Sequence, residues 1–264
     1  MCGLTGYYTK NNIHEDKIIS EMSNALISRG PDAMGYWVDN SIGISLGHRR
    51  LSIQDLSENG SQPMFSHTKR NVIVFNGEIY NHLSLRELLE KENDINWVGN
   101  SDTETLINAI ELIGIERTLN QLNGMFSFAI LDLDKQILTM ARDRFGEKPL
   151  YYGFVNKVFF FGSQPKSFKP HPKWEPKISL LGLNEYLQKG YISSPQSIYE
   201  GIQRLPKSTF IRFHLKTNLL EKPISYWNYS KLDINIKNKS DLISQLDKKL
   251  SFAIKSRTIS DVPV

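Results

Sequence analysis

Cysteine is almost absent: 264 residues contain one, and it is Cys2, directly after the initiator methionine. A single thiol cannot close an internal disulfide, which excludes a disulfide-stapled scaffold and agrees with a reducing compartment. No run approaches the roughly 18 to 20 apolar residues of a membrane span, and the start lacks the apolar core of a signal peptide, so a cytoplasmic protein with no membrane partner is expected. Also missing are His/Cys groups at metal-ligand spacing, the GxxxxGK(S/T) phosphate loop, the G-x-S-x-G nucleophile elbow, internal repeats and low-complexity segments. No metal site is therefore expected. With 40% hydrophobic and 23% charged residues the composition is globular, and the length suits one large domain or one domain plus part of another.

Charge is uneven. Residues 1–150 carry 14 Lys and Arg against 20 Asp and Glu, while 151–264 carry 18 against 8. The basic residues of the second half are scattered singly (Lys157, Lys166, Lys169, Lys173, Lys177), which reads first as a solvated face and second as a docking surface; no nucleic-acid partner is expected.

GLTGYYT reads as an opening strand, followed by an amphipathic helix through Ile18, Ile19, Met22, Ala25 and Leu26, broken by RGPD at 29–32. Short apolar or alternating runs at 34–38, 42–47, 71–75, 125–131, 136–141, 150–155 and 158–162 predict strands, with helices around 83–92 and 103–114. Connections too short for parallel crossovers point to an α+β layered fold with largely antiparallel sheets. Further on, SLLGLNEYLQKG predicts a helix closed by Gly190, STFIRFHL a strand, and 240–257 an amphipathic helix with Leu242, Leu246, Leu250 and Ile254 on one face. The closing SDVPV resembles the apolar start of another strand, so the chain reads as cut in mid-structure.

Cys2 has a chemical logic at that position. A small second residue permits removal of the initiator methionine, leaving a thiol and a free α-amine on one residue; the amine, with a pKa of roughly 8, can take the thiol proton. The alternative is a small hydrophobe packed at a strand start. FNGEIYN (75–81) offers Asn76 and Gly77 as N–H donors for an oxyanion, or else an Asn-Gly turn between strands. GHRRLSIQD (47–55) places Arg49 and Arg50 where a guanidinium can clamp a carboxylate or make an ordinary surface ion pair. NSDTET (100–105) puts Asp102 at a helix start, where Ser101 and Glu104 form a capping-box pattern and a carboxylate could equally bind an ammonium. RDRFGEKPLYY (142–152) reads as a structured turn, and His48 as structural.

Together and in order, Cys2, RRLSIQD, FNGEIYN, SDTET and RDRFGEKPLYY resemble the class II, N-terminal-nucleophile glutamine amidotransferases, in particular the glutaminase domain of glutamine-hydrolysing asparagine synthase. Hexosamine-forming relatives read TRWATHG and NGIIEN at the corresponding places, which favours the asparagine synthase branch. The resemblance implies a four-layer αββα sandwich over 2–215, a linker over 216–239, and the start of a truncated synthetase domain over 240–264. It implies Cys2 as nucleophile, Asn76 and Gly77 as oxyanion hole, Arg50 with the Ile53 backbone nearby on the glutamine α-carboxylate, and Glu78 and Asp102 on its α-amino group. Arg49 has no such counterpart and is left structural. SDVPV resembles what precedes the SGGxDSS loop of the synthetase domain, which is missing here. The implied partners are L-glutamine and a synthetase domain in cis, with a homodimer compatible. No cofactor is expected for the glutaminase part, and ATP and Mg only in the missing domain. The implied activity is glutamine hydrolysis feeding ammonia to aspartate. The alternatives are another acceptor, such as a sugar or precursor carboxylate, or a non-catalytic binding or assembly domain.

Overall fold

The computed structural model describes residues 2–10, 15–229, 238–258 and 260–262. The first half runs β1 (Gly3–Tyr8), α1 (Asp16–Asn24), β2 (Ala33–Asp39), β3 (Ile44–Arg50), β4 (Met64–Phe65), β5 (Asn71–Ile79), α2 (His82–Glu90), α3 (Asp102–Ile113), α4 (Ile115–Gln121) and β6 (Gly124–Asp132). It continues with β7 (Ile137–Arg142), β8 (Tyr151–Val155), β9 (Val158–Gly162), α5 (Leu180–Lys189), β10 (Ile202–Arg204), β11 (Thr209–His214), β12 (Leu219–Leu220), β13 (Ile224–Ser225) and α6 (Lys239–Ser256). One six-stranded sheet has the order β10-β8-β9-β1-β3-β2; a seven-stranded sheet has β12-β11-β7-β6-β5-β4, with β13 also on β11. Every pairing in both is antiparallel.

The period-two alternation of side chains builds the layers. Val72 and Val74 of β5 join Leu4, Leu46, Phe159 and Phe213 in a core between the sheets. Their neighbours Ile73 and Phe75 point the other way, onto Leu85 of α2 and Leu106 and Ile107 of α3. On the far side, Tyr7 of β1 and Phe160 of β9 pack against Ile19 and Met22 of α1. Three apolar layers thus separate helix, sheet, sheet and helices, the expected αββα arrangement. Strands buried on both faces explain why VFFFG and NVIVF are apolar throughout although the sheets are antiparallel. Phe159 stacks on Phe213 across the two sheets with ring centroids 4.3 Å apart, and each large side chain so buried contributes roughly 1.5–3 kcal/mol.

Several local expectations change. FNGEIYN is not a turn: β5 runs through Asn76 and Gly77, which pair with Ser127 and Phe126 of β6. A Cβ on Gly77 would strike the Met125 carbonyl and lie 2.7 Å from the Phe126 Cα, so this glycine serves close strand approach rather than a hairpin. The capping box at α3 is one-sided: Ser101 Oγ accepts from Glu104 N (3.2 Å), while the Glu104 carboxylate accepts from Val98 N and Gly99 N. Within 216–239, read from sequence as a linker, β12 and β13 both pair with β11, so the sheet holds the chain to Ser225; residues 230–237 lie outside the described set. Helix α6 forms over the expected stretch, but none of its residues is buried, and Leu246 and Leu250 are each 53% exposed.

Candidate active site

The register of β5 decides which backbone groups are available. Tyr80 N donates to Asn123 O (2.8 Å) and Leu133 N to Arg70 O (3.0 Å), fixing the phase of the β5–β6 ladder. Even-numbered residues of β5 therefore bond to β6, and the N–H groups of odd-numbered ones face the opposite edge. There β4 pairs only with Val72 and Ile73. Beyond it, Phe75 N donates to Gln62 Oε1 (2.6 Å) and Ile79 N to Asp102 Oδ2 (2.8 Å). Between these two, Gly77 N has no acceptor among the described residues and faces a pocket of about 90 Å³.

That pocket is lined by every residue singled out from the sequence as a site residue: Cys2, Arg50, Ile53, Asn76, Gly77, Glu78 and Asp102. Pairing of Gly3 with Arg49 sets Cys2 beside the end of β3. Leu51 N donates to Cys2 Sγ (3.3 Å), the thiol faces Leu51 O (3.6 Å), and Arg29 Nε donates to Cys2 O (2.9 Å). Burial pushes the Cys2 thiol up, while the Leu51 hydrogen bond and the Arg50 charge pull it back. Asn76 is 1% exposed, yet neither its Oδ1 nor its Nδ2 has a hydrogen-bond partner among the described residues. Leaving such an amide unpaired costs roughly 1–3 kcal/mol per group.

The charges form two ends. Arg50, at the close of β3, is held by the carbonyls of Ser57 (2.9 Å), Gln54 (3.3 Å) and Asp55. Ile53 lines the pocket, but its carbonyl already accepts from Asp261 N (2.9 Å). At the other end sit Asp102 and Glu78. Burial raises Asp102 to about 7 against the pull of the Ile79 N–H, with Glu78 pushing it further up. Burial raises Glu78 as well, partly offset by Lys148. Lys148 offsets Glu78, and a further cation placed at this end would favour the ionised form of both carboxyl groups.

Arg49 points away from the pocket, its guanidinium donating to Gly30 O (2.8 Å) and Pro31 O (3.2 Å), so it fastens the RGPD turn. His48 is structural: its Nε2 lies 2.9 Å from Phe75 O, tying β3 of one sheet to β5 of the other. Sequence reasoning did not single out Arg29, Gln62 or Lys148. Lys148 sits inside RDRFGEKPLYY, where Asp143 accepts from the N–H groups of Phe126, Phe145, Glu147 and Lys148 and so moulds the turn that delivers the lysine. Arg29 lay in the RGPD break, and nothing local marked Gln62.

Residues 1–227 match the sequence family described as the glutamine amidotransferase domain. The chain belongs to that family. This amidotransferase domain is 34% identical to the putative glutamine-hydrolyzing asparagine synthetase 2 of Methanocaldococcus jannaschii, over 100% of this chain and 53% of that protein. It is 32% identical to the glutamine-hydrolyzing asparagine synthetase 1 of Bacillus subtilis, over 100% and 41%. Its fold matches the solved glutamine phosphoribosylpyrophosphate amidotransferase of B. subtilis with a TM-score of 0.61 at 17% identity, over 86% of this chain and 49% of that one. The amidotransferase domain therefore spans about half the length, or less, of the curated relatives it matches and is homologous to the N-terminal part of asparagine synthetases. Among the described residues no helix is long and apolar enough to cross a membrane.

Proposed function

We propose that this domain hydrolyses L-glutamine to glutamate and ammonia with Cys2 as nucleophile. The carrying observation is the buried, unpartnered Asn76 amide beside the free Gly77 N–H in the pocket that holds the Cys2 thiol. Two donors in one small pocket beside the thiol are what a developing oxyanion requires.

The charge pattern suits the rest of glutamine. Its α-carboxylate faces Arg50 and its α-ammonium faces Asp102 and Glu78, which orients the side-chain amide toward Cys2. At rest the raised thiol is protonated, so attack needs a base. The α-amine of Cys2 fills that role once Met1 is removed; Met1 lies outside the described residues. The Sγ–C bond forms as the carbonyl electrons move to oxygen, which accepts from Asn76 Nδ2 and Gly77 N. Collapse breaks the C–N bond, the amine returns the proton, and ammonia leaves. Water, deprotonated by the same amine, then cleaves the thioester to glutamate and regenerates the thiol.

In a longer protein the ammonia would serve an ATP-dependent amidation of aspartate by a synthetase domain in cis. ATP and Mg would belong to that domain, and no residue of this chain is assigned to them. Glutamate release from glutamine, together with labelling of Cys2 by a glutamine-mimicking electrophile, tests the reading. Both are expected in the protein lacking Met1 and lost in Cys2→Ala; unchanged glutamate release in Cys2→Ala overturns it, and neither signal in the unsubstituted protein leaves a non-catalytic binding domain.

A further inference from the structure

The stretch that follows α6 returns to the pocket. Asp55 N donates to Asp261 Oδ2 (2.7 Å), Asp261 N donates to Ile53 O (2.9 Å), and Ser260 Oγ reaches the same carbonyl (3.4 Å). One residue thus brackets Gln54 from both sides, as an added strand residue would. Four residues earlier, the Arg257 guanidinium lies 4.6 Å from the ring centroid of Tyr80, just past Glu78 on the opposite wall.

The segment it holds has little regular structure of its own. Residues 51–56 form neither helix nor strand, and Asp55 sits at φ 51, a left-handed conformation unfavourable for a residue with a Cβ. The Asp55 carboxylate fastens the outer side of the loop to Ser57 and to Asn100 N. The carbonyls of Gln54 and Asp55, on the inner side, hold the Arg50 guanidinium. Asp261 grips the backbone between these two sets of bonds, so it sets where Arg50 presents its remaining N–H groups.

We infer that Asp261 is a positioning residue for glutamine: it acts through Ile53 and Asp55 on Arg50, and so on the capture of the substrate's α-carboxylate. This rests on the glutaminase reading above. Asp261 lies outside residues 1–227, the part that matches the amidotransferase family. The glutamine pocket would then be completed by chain from beyond the catalytic domain, and whatever displaces residues 260–262 would weaken glutamine binding without touching the nucleophile.

Steady-state glutamate release by the 264-residue chain freed of Met1, measured against glutamine concentration, tests the inference. Asp261→Ala removes the acceptor for Asp55 N and is expected to raise KM for glutamine about tenfold while kcat stays within about twofold, the scale of losing one charge-assisted hydrogen bond. Asp261→Asn keeps an acceptor oxygen and is expected to restore most of the affinity. An unchanged KM in Asp261→Ala, or a fall in kcat at constant KM, overturns the positioning role. If the unsubstituted chain neither releases glutamate nor is labelled at Cys2, the glutaminase reading fails first; electrophile labelling of Cys2 in Asp261→Ala at saturating reagent shows that the nucleophile itself is intact.

Discussion

Along β5, one edge runs against β6 through nine consecutive residue pairs, whereas the other meets β4 at two residues and then opens onto the pocket. The paired edge contributes rigidity. The open edge contributes donors, and two of its three N–H groups are already taken by Gln62 and Asp102. What remains, Gly77 N, is held in place by bonds on either side of it and needs no rearrangement to meet a negative oxygen. Preorganised donors of this kind supply much of an enzyme's rate enhancement. A strand with one edge zipped and one edge capped by side chains is therefore a way to aim a single backbone N–H.

Asn76→Ala removes a side-chain donor beside the open edge without touching the ladder and should have the largest effect. A loss of about 10²–10³ in kcat for glutamate release is expected, the scale of removing one oxyanion donor. Thermal stability should hold or rise, because the deleted amide is buried without a partner. Gly77→Ala strikes the paired edge: its Cβ meets the backbone of Met125 and Phe126, and chemical denaturation should show a loss of about 1–3 kcal/mol. Activity should fall with it as the donor shifts. Asp102→Asn probes the cap. Burial holds the Asp102 carboxyl at about 7, and only its ionised form attracts an ammonium, so KM for glutamine should rise as pH falls below about 7, approaching tenfold per unit. In Asp102→Asn that dependence should flatten. Gln62→Ala is the mildest test, leaving Phe75 N without its acceptor at a cost of about 1 kcal/mol in denaturation.

Much of this was legible before any coordinates. The apolar runs marked the long strands because both sheet faces are buried, and spacings of three and four marked α1. Cys2, Arg50 and Asp102 each sit in a short motif with chemistry of its own, and the family resemblance of the ordered motifs was what chose among the readings each left open. What stayed hidden is long-range. Asn-Gly is a local turn signal, and only its pairing with β6 turns it into a straight strand. Gln62 reaches Phe75 across 13 positions and Arg29 reaches Cys2 across 27, distances over which no periodicity speaks. Strands β4, β12 and β13 have two residues each, too few to show alternation. For α6 the period was visible, but a period does not reveal what, if anything, covers the face; here the face is exposed.

The imidazole of His48 spans the two sheets beside this site, and its proton has consequences of its own. Burial pushes it down to about 4 from an ordinary 6.5, so in that window the unfolded chain binds a proton that the folded one refuses. The stability this represents is complete above 6.5 and is lost as pH falls toward 4, at about 1.4 kcal/mol per unit. Asp102 works with the opposite sign over nearly the same range: raised to about 7, it holds a proton when folded that the unfolded chain gives up. The two linkages oppose each other. His82, also pushed down to about 4 by burial, adds to the His48 side, so mild acidification is expected to loosen the sandwich over the same range in which it drains the proposed ammonium site at Asp102.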